Sequence, residues 1–221
     1  MFGKGKMPIK PENWNVVIVG AWNRAILTPS GIARRLYKLP EHHPVEVFVP
    51  LDVIAPYQVK HDDVIVTAGS GRLIVEPTIC TYDKLYSAME IGFRALNDLP
   101  ETPVTAAGFN IRYKTKDSIP AFLDLLEHSW DDKFSDEDYN IEARSIGRTV
   151  KWKDGRIQIV LSKDSDSECE LLLNFDKSSS ANNDLKSWLS IPIDEIQKEA
   201  AKLLHNCIGL KKEDIENDED E

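Results

Sequence analysis

The sequence predicts an α+β protein made by tandem duplication of a strand-helix-(three or four strands)-helix unit. Three observations lead there. β-branched, alternating segments separated by turn residues fill most of the chain. Two amphipathic stretches, starting at Thr81 and at Pro192, close a first and a second half. Two short motifs recur at nearly equal offsets. One is a glycine late in each half's first strand, followed by an aromatic and an asparagine (Gly20, Trp22-Asn23; Gly108, Phe109-Asn110). The other is a Val-Lys pair ahead of an aspartate turn (Val59-Lys60, Asp63; Val150-Lys151, Asp154).

The elements follow in order. Trp14–Trp22 is too continuously apolar to be anything but a buried strand. Thr28-Pro29 reads as an N-cap with proline in the first helical position, and Ile32, Leu36 and Tyr37 share one side of the short helix that Pro40 stops. Val45–Val49 alternates, while Pro50 and Pro56 confine residues 51–59 to an edge or a bend. Val64–Thr67 and Arg72–Glu76 form a hairpin around the glycines of residues 68–71. Thr81 then caps a helix whose Leu85, Met89, Gly92, Phe93 and Leu96 face inward.

Leu99–Tyr113 opens the second half as a strand apolar on both faces. Asp117 caps a short helix through Leu126, and Asp131–Asp138 reads as an acidic loop. Tyr139–Trp152 is a long strand with a bulge expected at Gly147, turning at Lys153-Asp154-Gly155 into Arg156–Leu161. Asp164–Glu168 is a polar turn, Glu170–Phe175 a strand and Ser178–Asp184 a flexible loop. Ile193, Ile196, Ala200, Leu203, Leu204 and Cys207 stripe the last helix, which Gly209 ends. The expected division is a leader at 1–13, half-repeats at 14–98 and 99–210 in one continuous domain, and a disordered acidic tail at 211–221.

Composition excludes several classes. With a net charge of −10 over 221 residues, nonspecific attraction to a nucleic-acid backbone is not expected. No apolar run approaches the ~20 residues that span a bilayer, and the basic N-terminus lacks a signal's apolar region. Cys80, Cys169 and Cys207 are too far apart for a metal or redox motif, so they are expected as buried thiols in a reducing, cytoplasmic setting. The acidic end of the chain reads as a solvated tail, or more sharply as a polyanion mimic competing for a basic groove.

Reactive chemistry is hard to find. There is no G-x-S-x-G, residues 68–71 lack the lysine and spacing of a phosphate loop, and the five histidines share no metal spacing. Asp164, Asp166 and Glu168 lack the glycine and the terminal glutamate of a calcium loop. No catalytic residue, metal or cofactor is therefore expected. Asn23, Arg24, Asn110 and Arg112 are placed near the seam between the halves, where Trp22 and Tyr113 would flank a polar recognition patch. Alternatively, the asparagines only satisfy backbone groups at a turn and a bulge. Trp152 is either an exposed anchor or one member of a cross-strand pair.

The doubled unit resembles the fold of the TATA-box-binding protein and, more loosely, helix-grip domains that hold apolar ligands. That resemblance is one of topology, without a TATA-binding residue pattern. It implies two half-sheets joined into one curved antiparallel sheet with two long helices on one face. In residues, Trp22-Asn23, Arg72-Leu73 with Pro77, and Leu99-Pro100, Thr102-Pro103-Val104, Ala106, Gly108 and Asn110 are similar to a sporadically distributed bacterial family of unassigned function. That match covers mainly the first half. It implies a patchy, defence-linked distribution and carries no catalytic residue across. The expected function is a non-enzymatic interaction protein, a regulatory or inhibitory (antitoxin-like) subunit for a protein partner of basic character, with homo-oligomers compatible. Its rivals are a small-molecule module with a pocket lined by Phe93 and Phe109, and a hydrolase using carboxylates such as Asp62-Asp63.

Overall fold

The computed structural model describes residues 8–51, 55–116, 119–164 and 168–215. The strands are β1 (Lys10–Pro11), β2 (Asn15–Gly20), β3 (Glu46–Phe48), β4 (Gln58–His61), β5 (Val64–Ala68), β6 (Arg72–Pro77), β7 (Val104–Thr115), β8 (Ala143–Trp152), β9 (Gly155–Asp164) and β10 (Cys169–Ser178). The helices are α1 (Pro29–Arg35), α2 (Tyr82–Asp98), α3 (Pro120–Leu126), α4 (Asp131–Asp136), α5 (Asn182–Leu189) and α6 (Ile193–Lys202).

All strand pairs are antiparallel, in the order β3-β4-β5-β6-β2-β7-β10-β9-β8, and β1 pairs with the far end of β7. In each group the first strand, β2 or β7, pairs with the last, β6 or β10, and the others step outward from it. The two first strands pair with each other at the centre. Strand alternation then sorts side chains between two faces. On one face an apolar row crosses nine strands in register: Val47, Val59, Val66, Val75, Val16, Phe109, Phe175, Ile157 and Val150. The row is exposed at its two ends, Val47 and Val150, and buried between them. The outer edge of β8 is unpaired among the described residues, and its register against β9 is uninterrupted.

Helices pack against the sheet, with Gly92 of α2 and Leu189 of α5 meeting Val16 and Ile18 of this face. α2 packs on β2 and β6, α5 on β7, β10 and α2, α1 on β4, and α3 on β8 and β9. Thr28 and Thr81 cap α1 and α2 as their sequences predict, accepting from the Gly31 and Lys84 amides at 3.1 and 3.4 Å. At Gly92 of α2 a Cβ would lie 3.1 Å from Leu189 and 3.3 Å from Ile18, so helix, helix and sheet meet there without room for a side chain. Phe109 stacks on Phe175 at 4.9 Å and on Trp188 at 6.2 Å. These rings and Leu189 pack between sheet and helices, and Phe93 is half-buried against the core.

Several expectations need correction. The stretch Asp131–Asp138 is not a loop: it contains α4, tied to β8 by an Asp131–Arg144 ion pair at 2.8 Å. Residues 178–184 are not flexible loop throughout, because α5 starts at Asn182, whose side-chain amide donates to the Leu96 carbonyl at 3.0 Å. Gly147 is no bulge, since β8 and β9 pair continuously past it, and the register shift lies at Val19/Gly20 instead. Cys207 is exposed rather than part of the buried stripe of α6. Cys169 is buried, and half-buried Cys80 accepts from the Trp14 amide at 3.5 Å. Near the ends of the described residues the Ile9 amide donates to the Asp214 carbonyl at 2.7 Å, Ile9 bridges Ile215, and Ile9, Leu210 and Asp214 are buried. Asp117, Asp166 and residues 216–221 lie outside the described residues. Gly209 does end the helical segment, at φ 85°.

Two predictions follow from this packing. A Cβ on Gly155 would come within 2.6 Å of both the Asp176 carbonyl and the Trp188 ring, so Gly155→Ala should lower stability. The expected loss is ~1–3 kcal/mol in denaturant melts with unchanged m-value, and an unchanged midpoint would refute the packing described. Hydrogen-bonded cations hold three aspartates below the usual carboxylate range: Lys38 for Asp98, Arg144 for Asp131 and Lys177 for Asp154. The stability from a depressed pKa is complete above the unfolded value near ~4 and is lost as pH falls through the folded one. Midpoints should stay level down to about pH 5 and fall below about pH 4, and Asp154→Asn should shrink that fall.

Candidate functional site

The face of the sheet opposite the helices carries the alternate residues of each strand, most of them half-exposed or exposed, with Thr67 and Gly108 buried among them. Register builds an amide row across it: Asn15 on β2, Asn110 on β7, Asn174 on β10 and Gln158 on β9 stand side by side. Neighbouring strands are ~4.8 Å apart, so the four amides span about 14 Å. The Asn110 amide donates to the Asn15 side-chain oxygen at 2.7 Å, which leaves Asn110 no role at a turn or bulge. Asn174 and Gln158 make no side-chain hydrogen bond among the described residues. Leu172 and Val160 pair beside the row on one side, and Val17 with Ile74 on the other. Beside the row two charges are answered locally: Arg112 pairs with Glu170 at 2.8 Å, and Arg156 with Asp176 at 2.7 Å. Burial pushes the Glu76 carboxyl up, and Arg112 draws it back.

The residues singled out from sequence do not all meet here. Asn110 pairs with Asn15 where β7 meets β2, and Arg112 lies two residues further along β7, opposite Leu172 of β10. Asn23 and Arg24 lie past the other end of β2 in an exposed turn, where Asn23 accepts from the Ala25 amide at 3.0 Å. Trp22 does not flank the patch. It is 3% exposed, and its indole donates to the Ile18 carbonyl at 3.1 Å. Tyr113 is also 3% exposed, packed on the Trp14 ring at 6.0 Å. Burial raises its hydroxyl well above the ordinary tyrosine range. Trp152 is half-buried opposite Gly155, edge-on to Phe175 at 5.2 Å and to Trp188 at 5.5 Å, so it borders the core.

A second surface went unread in the sequence. Trp130, Phe134 and Tyr139 stand at α4 with exposures of 59%, 40% and 66%. Trp130 meets Phe134 edge-on at 5.5 Å, and Phe134 meets Tyr139 at 6.4 Å. They line an open groove of about 510 Å³ with Leu126, Asp131, Glu142 and the first residues of β8. The available signal was an aromatic every four or five residues inside an acidic run, with Trp130 and Phe134 at helical spacing. Among the described residues no His, Cys, Asp or Glu side chains gather in threes as a metal would need, and no helix is long and apolar enough to cross a membrane.

Of the five tryptophans, Trp14, Trp22 and Trp188 are buried, so a neutral collisional quencher should act mainly on Trp130. Trp130→Phe should remove most of the quenchable, red-shifted emission; quenching that survives the substitution would mean that the indole is covered. The chain matches no protein-family model and no curated protein.

Proposed function

We propose that this chain is a non-enzymatic interaction protein, a regulatory or inhibitory subunit that docks a protein partner on the open face of its sheet. One observation carries the reading. Asn174 and Gln158 keep unspent hydrogen-bonding capacity beside half-exposed Leu172 and Val160, on a regular sheet where the neighbouring Arg112 and Arg156 are already paired. Such a surface offers apolar contact and directional hydrogen bonds with little charge to desolvate, which is the composition of a protein interface. The pocket reading is disfavoured by the rings that pack between sheet and helices.

The same proposal takes the sheet as a tandem duplication with the curved, TATA-box-binding-protein-like plan. The matching strand orders outward from β2 and β7 support this. So do the two hairpin loops that follow the Val-Lys pairs, which enter through Asp62 and Lys153 at φ 48° and 50°. Gly20 and Gly108 lend nothing, since Gly20 lies opposite Val104 and Gly108 opposite Val17.

The test is a native pull-down from the source cell with the wild type and with Leu172→Arg/Asn174→Arg, whose side chains point away from the core. A stoichiometric protein held by the wild type and lost from an equally stable variant is expected. Retention by the variant, or a wild type that comes down alone, overturns the reading.

A further inference from the structure

We propose that the groove between α4 and the start of β8 is a second docking site, which takes an arginine- or lysine-bearing extended segment of a protein partner and seats the cation on the rings of Trp130, Phe134 and Tyr139. α4 is six residues long and buries none of them. A helix that contributes nothing to the core is held by what touches it, here the Asp131–Arg144 pair and the edge-to-face rings. The rings thus order one another while each stays 40–66% exposed, an arrangement that solvation alone disfavours and that clusters at binding hot spots.

Charge selects the occupant. An aromatic face attracts cations through its quadrupole, and Asp132, Asp136, Glu137 and Asp138 stand exposed on and after the same helix. Ring and carboxylate therefore favour the same ligand. The basic side chain in the groove, Arg144, is already engaged by Asp131, whose carboxyl it holds below the usual range. The cation-over-ring contact of the described residues is made elsewhere, by Lys153 on Trp152 at 5.4 Å. A groove of about 510 Å³ exceeds what one guanidinium fills, and its floor includes the first residues of β8, which suits a chain segment. A second copy of this protein, at −10, is the wrong sign.

The full chain is titrated with a capped Gly-Arg repeat peptide, with a Gly-Glu peptide of equal length as control, following affinity by calorimetry and the indole N–H resonances by NMR. Saturable binding of the arginine peptide alone is expected, with the Trp130 resonance moving most. Trp130→Ala and Tyr139→Ala leave net charge unchanged and should each weaken binding about 3- to 30-fold, while Trp130→Phe retains most of it. Asp132→Asn/Asp136→Asn should flatten the salt dependence. Equal affinity in Trp130→Ala, or a Trp130 resonance that stays still, would reduce the effect to diffuse attraction and overturn the site. Competition by guanidinium at equal concentration would overturn the peptide segment as its occupant. The open-face variant Leu172→Arg/Asn174→Arg should bind the peptide normally, so the two surfaces stand or fall separately.

Discussion

The pairing of β2 with β7 is the joint on which the rest of this structure hangs. Val16 faces Phe109 across it, and the apolar row runs outward from that pair on both sides. Burying side chains of this kind stabilises by about 1.5–3 kcal/mol each, so the row as a whole outweighs any ion pair on the surface. Register matters as much as burial. A slip of one residue at the joint would send Val16 and Ile18 to the open face and bring Asn15 and Val17 under the helices. The register shift at Val19/Gly20 falls at the end of the joint, where the missing Cβ of Gly20 lets the Pro103 carbonyl approach. Helices lock the joint from the covered side, with Gly92 wedged against Ile18 and Asn182 fastening α5 to the last turn of α2.

This arrangement explains which parts of the fold could be read in the residues alone. The β-branched run Val64–Thr67 before the glycines of residues 68–71 and the caps at Thr28 and Thr81 are local signals, and the elements they mark are where those signals put them. α5 was obscured because Ser, Asn and Asp dominate its approach, and the Trp188 and Leu189 contacts that hold it are tertiary. α4 was obscured by its charge: its acidic residues suggested a solvated loop, while the Asp131–Arg144 pair and the ring contacts that order it cannot be inferred from composition. Asn110 was visible as a candidate, but its row was not. Asn15, Asn174 and Gln158 become its neighbours only through the registers of three strand pairs, and register is set by the whole hydrophobic pattern. The aromatics Trp22 and Tyr113 show the converse error. Residues enriched at hot spots are also the ones that large cores consume.

The two candidate surfaces differ in kind. On the open face, the charges beside the amide row are paired within the molecule and the amides are presented by strands, so selectivity there comes from shape and hydrogen-bond direction. At α4 the carboxylates are largely unpaired and the rings sit on a short peripheral helix, so capture there is long-ranged and tunable by salt. A partner engaging both would be steered by the second and read by the first.

The unpaired outer edge of β8 sets how this molecule behaves among its own kind. Ten residues in unbroken register present an open ladder, the geometry that templates fibrillar growth. Arg148 and Lys151 blunt it by repelling the same edge of a neighbour. In a chain of net −10 the repulsion between whole copies adds to that protection. Low ionic strength therefore holds these open edges apart, and added salt lets them approach.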